Sequence, residues 1–191
     1  MILPKLFKME LKEYPYLVWL DLEMTGLDPD SERIIEIATV ITSSDLEEVI
    51  EGPNLVINQP REYLDNMDEW NTSHHGNSGL IEAVKVSNIT DELAEKETLN
   101  FLMKYLEIGT SPLCGNSISQ DRRFLNRYMP DLAKFFHYRN IDVSSIKELT
   151  KRWRPDLDGK IIKSTSHRAL SDVYESIEEL KFYRDNLFKK D

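Results

Sequence analysis

The sequence predicts an α/β fold: a mixed five-stranded β-sheet that is flanked by helices on both faces. Two observations lead to this prediction. The first third of the chain contains three segments rich in apolar and β-branched residues, which are typical of strands in an antiparallel meander. From about residue 90 onward, apolar residues recur at helical spacing, and short apolar runs separate the helical segments. Alternation of this kind favours a sheet with a helical layer on each side.

The first three strands follow one another closely. Residues 17–22 (LVWLDL) form a short apolar run of the kind that makes a buried strand. Residues 33–41 are rich in β-branched side chains and predict a second strand. Residues 43–45 (SSD) indicate a turn into a third strand, which ends near Ile57. We expect these three strands to pair as an antiparallel meander.

The remaining elements alternate between helix and strand. Thr90 is a typical helix N-cap, and two acidic residues that suit the first helical turn follow it. Ser144 is a second candidate N-cap, and Pro130 and Pro155 are expected to end the helices that precede them. The further predicted elements are strands at 112–115 and 140–143 and helices at 118–128, 146–153 and 168–187.

Composition and charge limit the possible functions. The formal net charge of −10 argues against tight electrostatic binding to long nucleic acids, which depends on lysine and arginine contacts to phosphates. The chain has no apolar run near the roughly 20 residues that a membrane span needs, and its first residues lack the apolar stretch of a secretory signal. The single cysteine, Cys114, cannot form an internal disulfide. We therefore expect a cytoplasmic protein with an N-terminal extension at 1–13 and one domain at 14–188.

Two acids stand at the end of the first apolar strand. Asp21 and Glu23 are two residues apart, so the alternation of strand side chains places them on one face, with Leu22 opposite. Neighbouring carboxylates repel each other unless a cation lies between them, and hard oxygen ligands suit Mg²⁺ or Mn²⁺. Spacing alone leaves an ordinary solvated strand end as an equal alternative.

Two further acids interrupt the apolar faces of helices. Asp121 lies on the inward stripe of the helix at 118–128, and a buried aspartate needs a partner, for which an arginine of the same helix is the alternative to a metal. Asp172 lies at the edge of the apolar stripe of the last helix. His167, five residues earlier, can converge with Asp172 only if it lies ahead of that helix. A lone histidine is otherwise more often structural or exposed.

These four acids and one histidine predict a metal-dependent phosphodiester hydrolase. Two metal ions about 3.5–4 Å apart can clamp a phosphodiester, activating water on one side and steadying the leaving oxygen on the other. The acids would hold the metals. Histidine, with a pKa of about 6.5 in a free side chain, is the natural general base for the water, which assigns that role to His167. Glu36, in the second strand, is interpreted as structural rather than as a fifth metal ligand.

The acidic motifs resemble those of the DEDDh branch of 3′→5′ exonucleases, whose fold is ribonuclease H-like. They are DLE at 21–23, NSISQD at 116–121 and HRALSD at 167–172. Many relatives carry an aromatic residue just before the second-motif aspartate, where this chain has Gln120. Longer stretches, among them WLDLEMTGLDP, CGNSISQDRRFL and HYRNIDVSSIKEL, resemble the oligoribonuclease family over nearly the whole chain after residue 14.

The resemblance implies an activity and a set of substrate contacts. It implies a homodimer that uses two Mg²⁺ or Mn²⁺ ions per active site to remove 5′-mononucleotides, in the 3′→5′ direction, from oligoribonucleotides a few residues long, dinucleotides above all. By matched motifs, Leu27 would wedge against the bases, Trp70 would offer a stacking surface, and Tyr138 would reach in from the partner subunit as a catalytic residue. The residues implied to hold the terminal phosphate are Ser117, Arg139 and Ser144, with Ser145, and His75 is implied as a further substrate contact.

Each implied contact also has a structural alternative. Leu27 could pack within its loop, Trp70 could be a partly buried core residue, and Ser144 could be only a helix cap. The adjacent His74 and His75 could form a metal pair, although neighbouring histidines in a polar loop are more often exposed.

Two rival functions remain open at this point. The first is a related exonuclease that acts on the 3′ ends of longer RNA or DNA. Such an enzyme needs a basic track for the strand, and the net charge of −10 counts against it. The second is a catalytically inactive module that binds RNA ends. Against it, all five predicted catalytic positions hold residue types that are competent for the chemistry.

Overall fold

The computed structural model describes residues 16–157, 159–160 and 168–188. Within these ranges the chain forms five strands, eight α-helices and one short 3₁₀-helix. The strands are β1 (Tyr16–Met24), β2 (Ile34–Ser43), β3 (Val49–Val56), β4 (Leu113–Gly115) and β5 (Asn140–Asp142). They form one sheet in the order β3-β2-β1-β4-β5. The predicted extension at 1–13 lies outside the described residues.

The sheet consists of the predicted meander and two added parallel strands. β1 pairs antiparallel with β2, and β2 pairs antiparallel with β3. β4 runs parallel to both β1 and β5. In the β1–β2 register, Asp21 lies opposite Ala38 and Glu23 lies opposite Glu36. The mixed five-stranded sheet predicted from the sequence is therefore confirmed, and its register places a third acid beside the predicted pair.

The described helices include four that the sequence did not predict. Those expected near residues 91, 118, 146 and 168 are present, whereas three short helices between β3 and residue 90, and one after Pro130, are additional. Pro130 ends the preceding helix as predicted but also begins the next, because proline suits the first helical position. In chain order they are α1 (Arg61–Asp65), α2 (Glu69–Asn77), α3 (Leu80–Val86), α4 (Asp91–Leu102), α5 (Ser119–Tyr128), α6 (Pro130–Phe135), α7 (Val143–Trp153) and α8 (Ala169–Asn186), with the 3₁₀-helix at Pro155–Leu157.

One of the two predicted helix caps is confirmed, and the other is wrong. The Thr90 side chain caps α4 by accepting a hydrogen bond from the Leu93 backbone N–H at 3.3 Å. For α7, the cap is Asp142 instead of Ser144: its carboxylate accepts from the Ser144 N–H at 2.9 Å. Because a carboxylate at the end of β5 can satisfy this orphan N–H directly, α7 begins three residues earlier than predicted.

The hydrophobic core has one layer on each face of the sheet. Alternate residues of β1, such as Leu20 and Leu22, pack on one face against α4, α5 and α6. Trp19 points to the opposite face and packs with Val173 and Ile177 of α8. Full burial of each such side chain contributes about 1.5–3 kcal/mol. Side chains alternate between the two faces along a strand, so Asp21 and Glu23, two and four residues after Trp19, point to the same face as Trp19, which α8 covers. No helix in the described ranges combines the length and the apolar character that crossing a membrane requires.

Candidate active site

Three carboxylates converge where the buried part of β1 ends. Asp21 and Glu23 lie on β1, and Asp172 lies in the first turn of α8. One carboxylate oxygen from each residue lies within 4.8 Å of those of the other two, and all three side chains are half-buried. The shared face of Asp21 and Glu23 is therefore as the sequence predicted, and α8 brings the third acid to it.

The position of Asp172 follows from how α8 is held against the sheet. Ala169 and Val173 are buried against the sheet, so the turn between them faces β1. The start of the helix is fixed by the fully buried Glu36 of β2, which accepts hydrogen bonds from Arg168 Nη2 at 2.5 Å and Nε at 3.0 Å and from the Ala169 N–H at 3.1 Å. This ion pair fits the interpretation of Glu36 as a structural residue, since its oxygens are already bound.

Asp121 approaches the same region from α5. It is buried, and its Oδ1 accepts a hydrogen bond from the Leu22 N–H at 2.9 Å, directly between the two β1 acids in sequence. The arginines that were the alternative partners are directed elsewhere: Arg122 donates to the His137 carbonyl and Arg123 to the Gln120 side chain. Asp121 therefore belongs to the acidic cluster.

The cluster strongly favours protonated or metal-bound carboxylates. Burial, followed by the charges of Asp172, Glu36 and Asp121, raises the pKa of Glu23 from 4.5 to about 8. Burial and then the charge of Asp121 raise the pKa of Asp21 well above its ordinary value, and burial also raises the pKa of Asp121. Removing an ion from water is unfavourable unless an opposite charge compensates it. A divalent cation would supply that charge.

The donor set fits a hard divalent cation. All four acids offer only oxygen ligands, which Mg²⁺ and Mn²⁺ prefer over the nitrogen and sulfur ligands that favour zinc. The convergence of three carboxylate oxygens within 4.8 Å matches the reach of a shared ion. The predicted general base, His167, lies outside the described residues, so its role stays a prediction.

A second group of predicted residues lies beyond the C-terminal ends of β4 and β5. The hydroxyl oxygens of Ser117 and Ser144 are 3.1 Å apart, and the Ser117 N–H donates to Ser144 Oγ at 2.9 Å. Ser117 has a positive φ of 51°, and its N–H is also within 3.0 Å of Asp142 Oδ1. Ser144 donates in turn to Asn116 Oδ1 at 3.0 Å. Ser145 is the next residue and is exposed. Two of the three serines implied to hold a phosphate, Ser117 and Ser144, therefore do form one cluster.

Asn116 and Asp142 are members of this cluster that sequence reasoning missed as functional candidates. Asn116 lies in the second acidic motif, which was a signal that could have found it. Its amide group donates to Ser176 at 2.8 Å and to Glu179 at 3.2 Å. The asparagine thus connects the serine cluster to α8.

Leu27 and Trp70 are exposed, as contacts to a substrate require. Leu27 is 70% exposed, and Trp70 is 60% exposed and stacks on the His74 ring with centroids 3.8 Å apart. The alternatives of loop packing for Leu27 and of a core position for Trp70 are therefore wrong. A ring that sits on the surface of a short helix has its other face available for a base.

The adjacent His74 and His75 fit neither of the alternatives considered from the sequence, a metal-binding pair or two exposed histidines in a polar loop. They lie in α2 and not in a loop, and His75 is buried. His75 Nε2 donates to the Met24 carbonyl at 2.9 Å, and its Nδ1 lies 3.9 Å from Glu23 Oε2. His74 Nδ1 instead contacts the Trp70 carbonyl at 2.8 Å. The pair does not form a joint metal site, and His75 lies beside the acidic cluster.

Tyr138 and Arg139 lie at the opposite end of β5 from the serine cluster. They come directly before β5, whereas the serine cluster comes after β4 and β5. A three-residue strand spans about 10 Å. Arg139 lines a cavity of about 350 Å³ there and packs against the ring of Tyr138, which is 73% exposed. Within one chain, the structure does not bring these two residues to the carboxylates or to the serines.

Comparison with known proteins identifies a consistent group of relatives. The exonuclease family RNase_T matches residues 18–180. Proteins named oligoribonuclease from Bordetella pertussis and Marinobacter nauticus are 58% and 60% identical to this chain over 173 residues. Each match covers 91% of this chain and 96% of the relative.

Solved structures share the fold at much lower identity. The cell-death related nuclease 4 (CRN-4) aligns over 91% of this chain and 64% of its own, with a TM-score of 0.67 and 15% identity. Escherichia coli Exonuclease I in complex with a dA16 oligonucleotide aligns over 89% of this chain with a TM-score of 0.64 and 16% identity. This chain spans 41% of that Exonuclease I chain. These similarities show the ribonuclease H-like fold.

Proposed function

The chain belongs to the oligoribonuclease group of the RNase_T exonuclease family, and we propose that it is a metal-dependent 3′→5′ exoribonuclease that degrades very short RNAs, dinucleotides especially, to 5′-mononucleotides. The observation that carries this proposal is the convergence of the oxygens of Asp21, Glu23 and Asp172 within 4.8 Å, with Asp121 beside them. The high identity to named oligoribonucleases over nearly their whole length supports the choice of substrate. We place the enzyme in the cytoplasm, as expected from its single cysteine.

The four acids are the proposed ligands of two Mg²⁺ or Mn²⁺ ions. When bound, such ions make water a better nucleophile and steady the leaving oxygen of a phosphodiester. The raised pKa of Glu23 supports this role, because two neighbouring buried carboxylates ionise together only when a cation compensates them. Glu36 contributes by holding the start of α8 and hence Asp172.

The remaining residues orient the substrate and move protons. His167 accepts the proton of the attacking water in this proposal, as its place in the third motif suggests. Ser117 and Ser144 hold the terminal phosphate through their hydroxyl groups, next to the N-terminus of α7, whose dipole favours an anion. Ser145 and His75 are additional contacts. Leu27 and Trp70 pack against the bases, which their exposure supports.

We further propose a homodimer in which the partner copy completes the site. Tyr138 and Arg139 lie at the opposite end of β5 from Ser144, so in this proposal they reach the substrate from a second chain. Arg139 would then place its guanidinium near the terminal phosphate and bind it through charge-assisted hydrogen bonds. The positive charge of the guanidinium would also offset the negative charge of Asp142. Tyr138 would approach the reacting end of the RNA.

The deciding experiment measures metal-dependent release of mononucleotides from a ribodinucleotide. We expect turnover with Mg²⁺ or Mn²⁺, none with EDTA, and a loss of at least about a thousandfold in Asp121→Asn, because the substitution removes one ligand charge. Asp131→Asn, which changes an exposed acid after α5, is the matched control and should retain full activity. If the wild-type protein binds the dinucleotide but never cleaves it, the chain is a binding module and the proposal is wrong.

The alternative substrate is the 3′ end of a longer RNA or DNA strand. The alternative is considered because Exonuclease I, which shares this fold, has been solved in complex with a 16-nucleotide DNA. The net charge of −10 disfavours it, because a long strand gains affinity mainly from basic contacts to its phosphates. A greater kcat/KM for a 20-nucleotide strand than for a dinucleotide would favour the alternative.

A further inference from the structure

We propose that Gln120 is a positioning residue that fixes the base-contacting Leu27 at a set place relative to the metal-binding acids. The Nε2 group of Gln120 donates a hydrogen bond to the Leu27 backbone carbonyl. Gln120 directly precedes Asp121 in α5. One side chain thereby connects the proposed base wedge with the helix that supplies a proposed metal ligand. This inference rests on the substrate role that is proposed above for Leu27.

The orientation of the Gln120 amide is set by a second contact. Arg123 Nη1 donates to Gln120 Oε1 at 2.8 Å. A guanidinium can only donate hydrogen bonds, so its contact keeps the amide oxygen on the Arg123 side. The amide N–H groups then face Leu27. Both hydrogen bonds therefore have fixed directions: Arg123 donates to Gln120, and Gln120 donates to the Leu27 carbonyl.

Leu27 depends on this contact because its own side chain is little supported. It is 70% exposed, so packing does not fix its position. The loop that carries it is held farther along by another α5 residue: Tyr128 Oη lies 2.7 Å from the carbonyl oxygens of Pro29 and Glu32. Eight residues of helix separate Gln120 from Tyr128, a rise of about 12 Å. α5 therefore holds the loop at two points along its length, and Gln120 holds the one at Leu27.

This connection has a kinetic consequence. A dinucleotide offers few contacts, so each positioned contact contributes a large part of its binding. Freeing Leu27 without moving the acids should weaken binding of the dinucleotide while leaving the chemical step intact. We expect Gln120→Met, which keeps the side-chain length but has no amide, to raise KM about tenfold, with kcat within about twofold of the wild type. Its affinity for Mn²⁺ should not change.

A double-mutant cycle with Leu27→Ala tests whether Gln120 acts through Leu27. Leu27→Ala should raise KM. Adding Gln120→Met to it should cause no further rise, because the Leu27 side chain that Gln120 positions is then absent. If the two changes multiply, Gln120 touches the substrate itself, and the inference is overturned. A KM that is unchanged in Gln120→Met while it rises in Leu27→Ala would also overturn it.

A control variant and a comparison of thermal midpoints distinguish a specific effect on KM from unfolding. Asn126→Ala, on an exposed position of α5, is the matched control and should leave KM unchanged, and the thermal midpoints of all variants are compared to exclude unfolding. If Leu27→Ala alone has no effect on KM, the proposed role of Leu27 fails, and with it the inference. If wild-type protein shows no hydrolysis at all, the proposed function itself has failed.

Discussion

Replacing Glu23 by glutamine should stabilise the metal-free protein at alkaline pH while it abolishes activity. In the metal-free cluster, burial and the neighbouring charges raise the pKa of Glu23 from 4.5 to about 8. Between these two values the folded protein retains a proton that the unfolded chain has released. Stability from this group is therefore fully present below about pH 4.5 and is lost as the pH rises through about 8. Glutamine cannot ionise, so the variant does not undergo this loss.

The size of the effect follows from the same values. The difference between 4.5 and about 8 corresponds to about 5 kcal/mol, at about 1.4 kcal/mol per pH unit. Glu23 is 15% exposed at its side chain, so solvent screening makes this figure an upper bound. Near pH 4.5 the variant and the wild type should have similar free energies of unfolding, and by pH 8.5 the variant should be clearly more stable.

Urea unfolding in EDTA from pH 4.5 to 8.5 measures this difference. A parallel series with Mg²⁺ should raise the stability of the wild type at pH 8 by mass action, and should raise that of Glu23→Gln much less, because a ligand charge is missing. Glu148→Gln, an exposed acid in α7, is the control and should show the wild-type pH profile. Equal pH slopes for wild type and Glu23→Gln in EDTA would refute the reasoning.

Three other perturbations test separate parts of the site. Glu36→Gln should lower the free energy of unfolding by about 3–5 kcal/mol in urea titrations, because it leaves the Arg168 charge without its buried partner; a change below about 1 kcal/mol would contradict this. His167→Ala should reduce kcat severely while calorimetric Mn²⁺ affinity stays near the wild-type value, and loss of that affinity would assign His167 to the metal site instead. Mixed dimers of Tyr138→Ala and Asp21→Ala subunits should regain activity that neither homodimer has, and verified mixed dimers without recovery would count against a contribution from the partner.

Much of the fold could be predicted from periodicity, since the strands and the longer helices have clear patterns. The helices α1 and α3 have only five and seven residues, which is less than two full helical turns, and α2 has Trp70 as its only large apolar side chain and so lacks an apolar stripe. The cap of α7 was misassigned because Ser144 and Asp142 are both good capping residues, and only the geometry shows that the carboxylate accepts from the Ser144 N–H. Local sequence cannot rank two such neighbours.

The acidic cluster was predictable for a physical reason, whereas the reach of Arg139 was not. Acids on apolar stripes are anomalies that a single sequence displays, and Asp21, Glu23 and Asp121 were found in this way. Whether Arg139 can approach the serines depends on which ends of β4 and β5 lie side by side. The parallel pairing of the two strands places their C-terminal ends, and so Ser117 and Ser144, together and leaves Arg139 at the N-terminal end of β5. The link from Gln120 to Leu27 joins residues 93 positions apart, and no local pattern indicates it.

The central claim is that this acidic cluster hydrolyses very short RNA. The most direct measurement is kcat/KM for release of 5′-mononucleotides from RNAs of two to 20 nucleotides, in Mg²⁺ and in EDTA, at one fixed salt concentration. We predict the greatest value for the dinucleotide, a steep fall with increasing length, and no release in EDTA. A kcat/KM that rises with length, or hydrolysis that persists in EDTA, would contradict the claim.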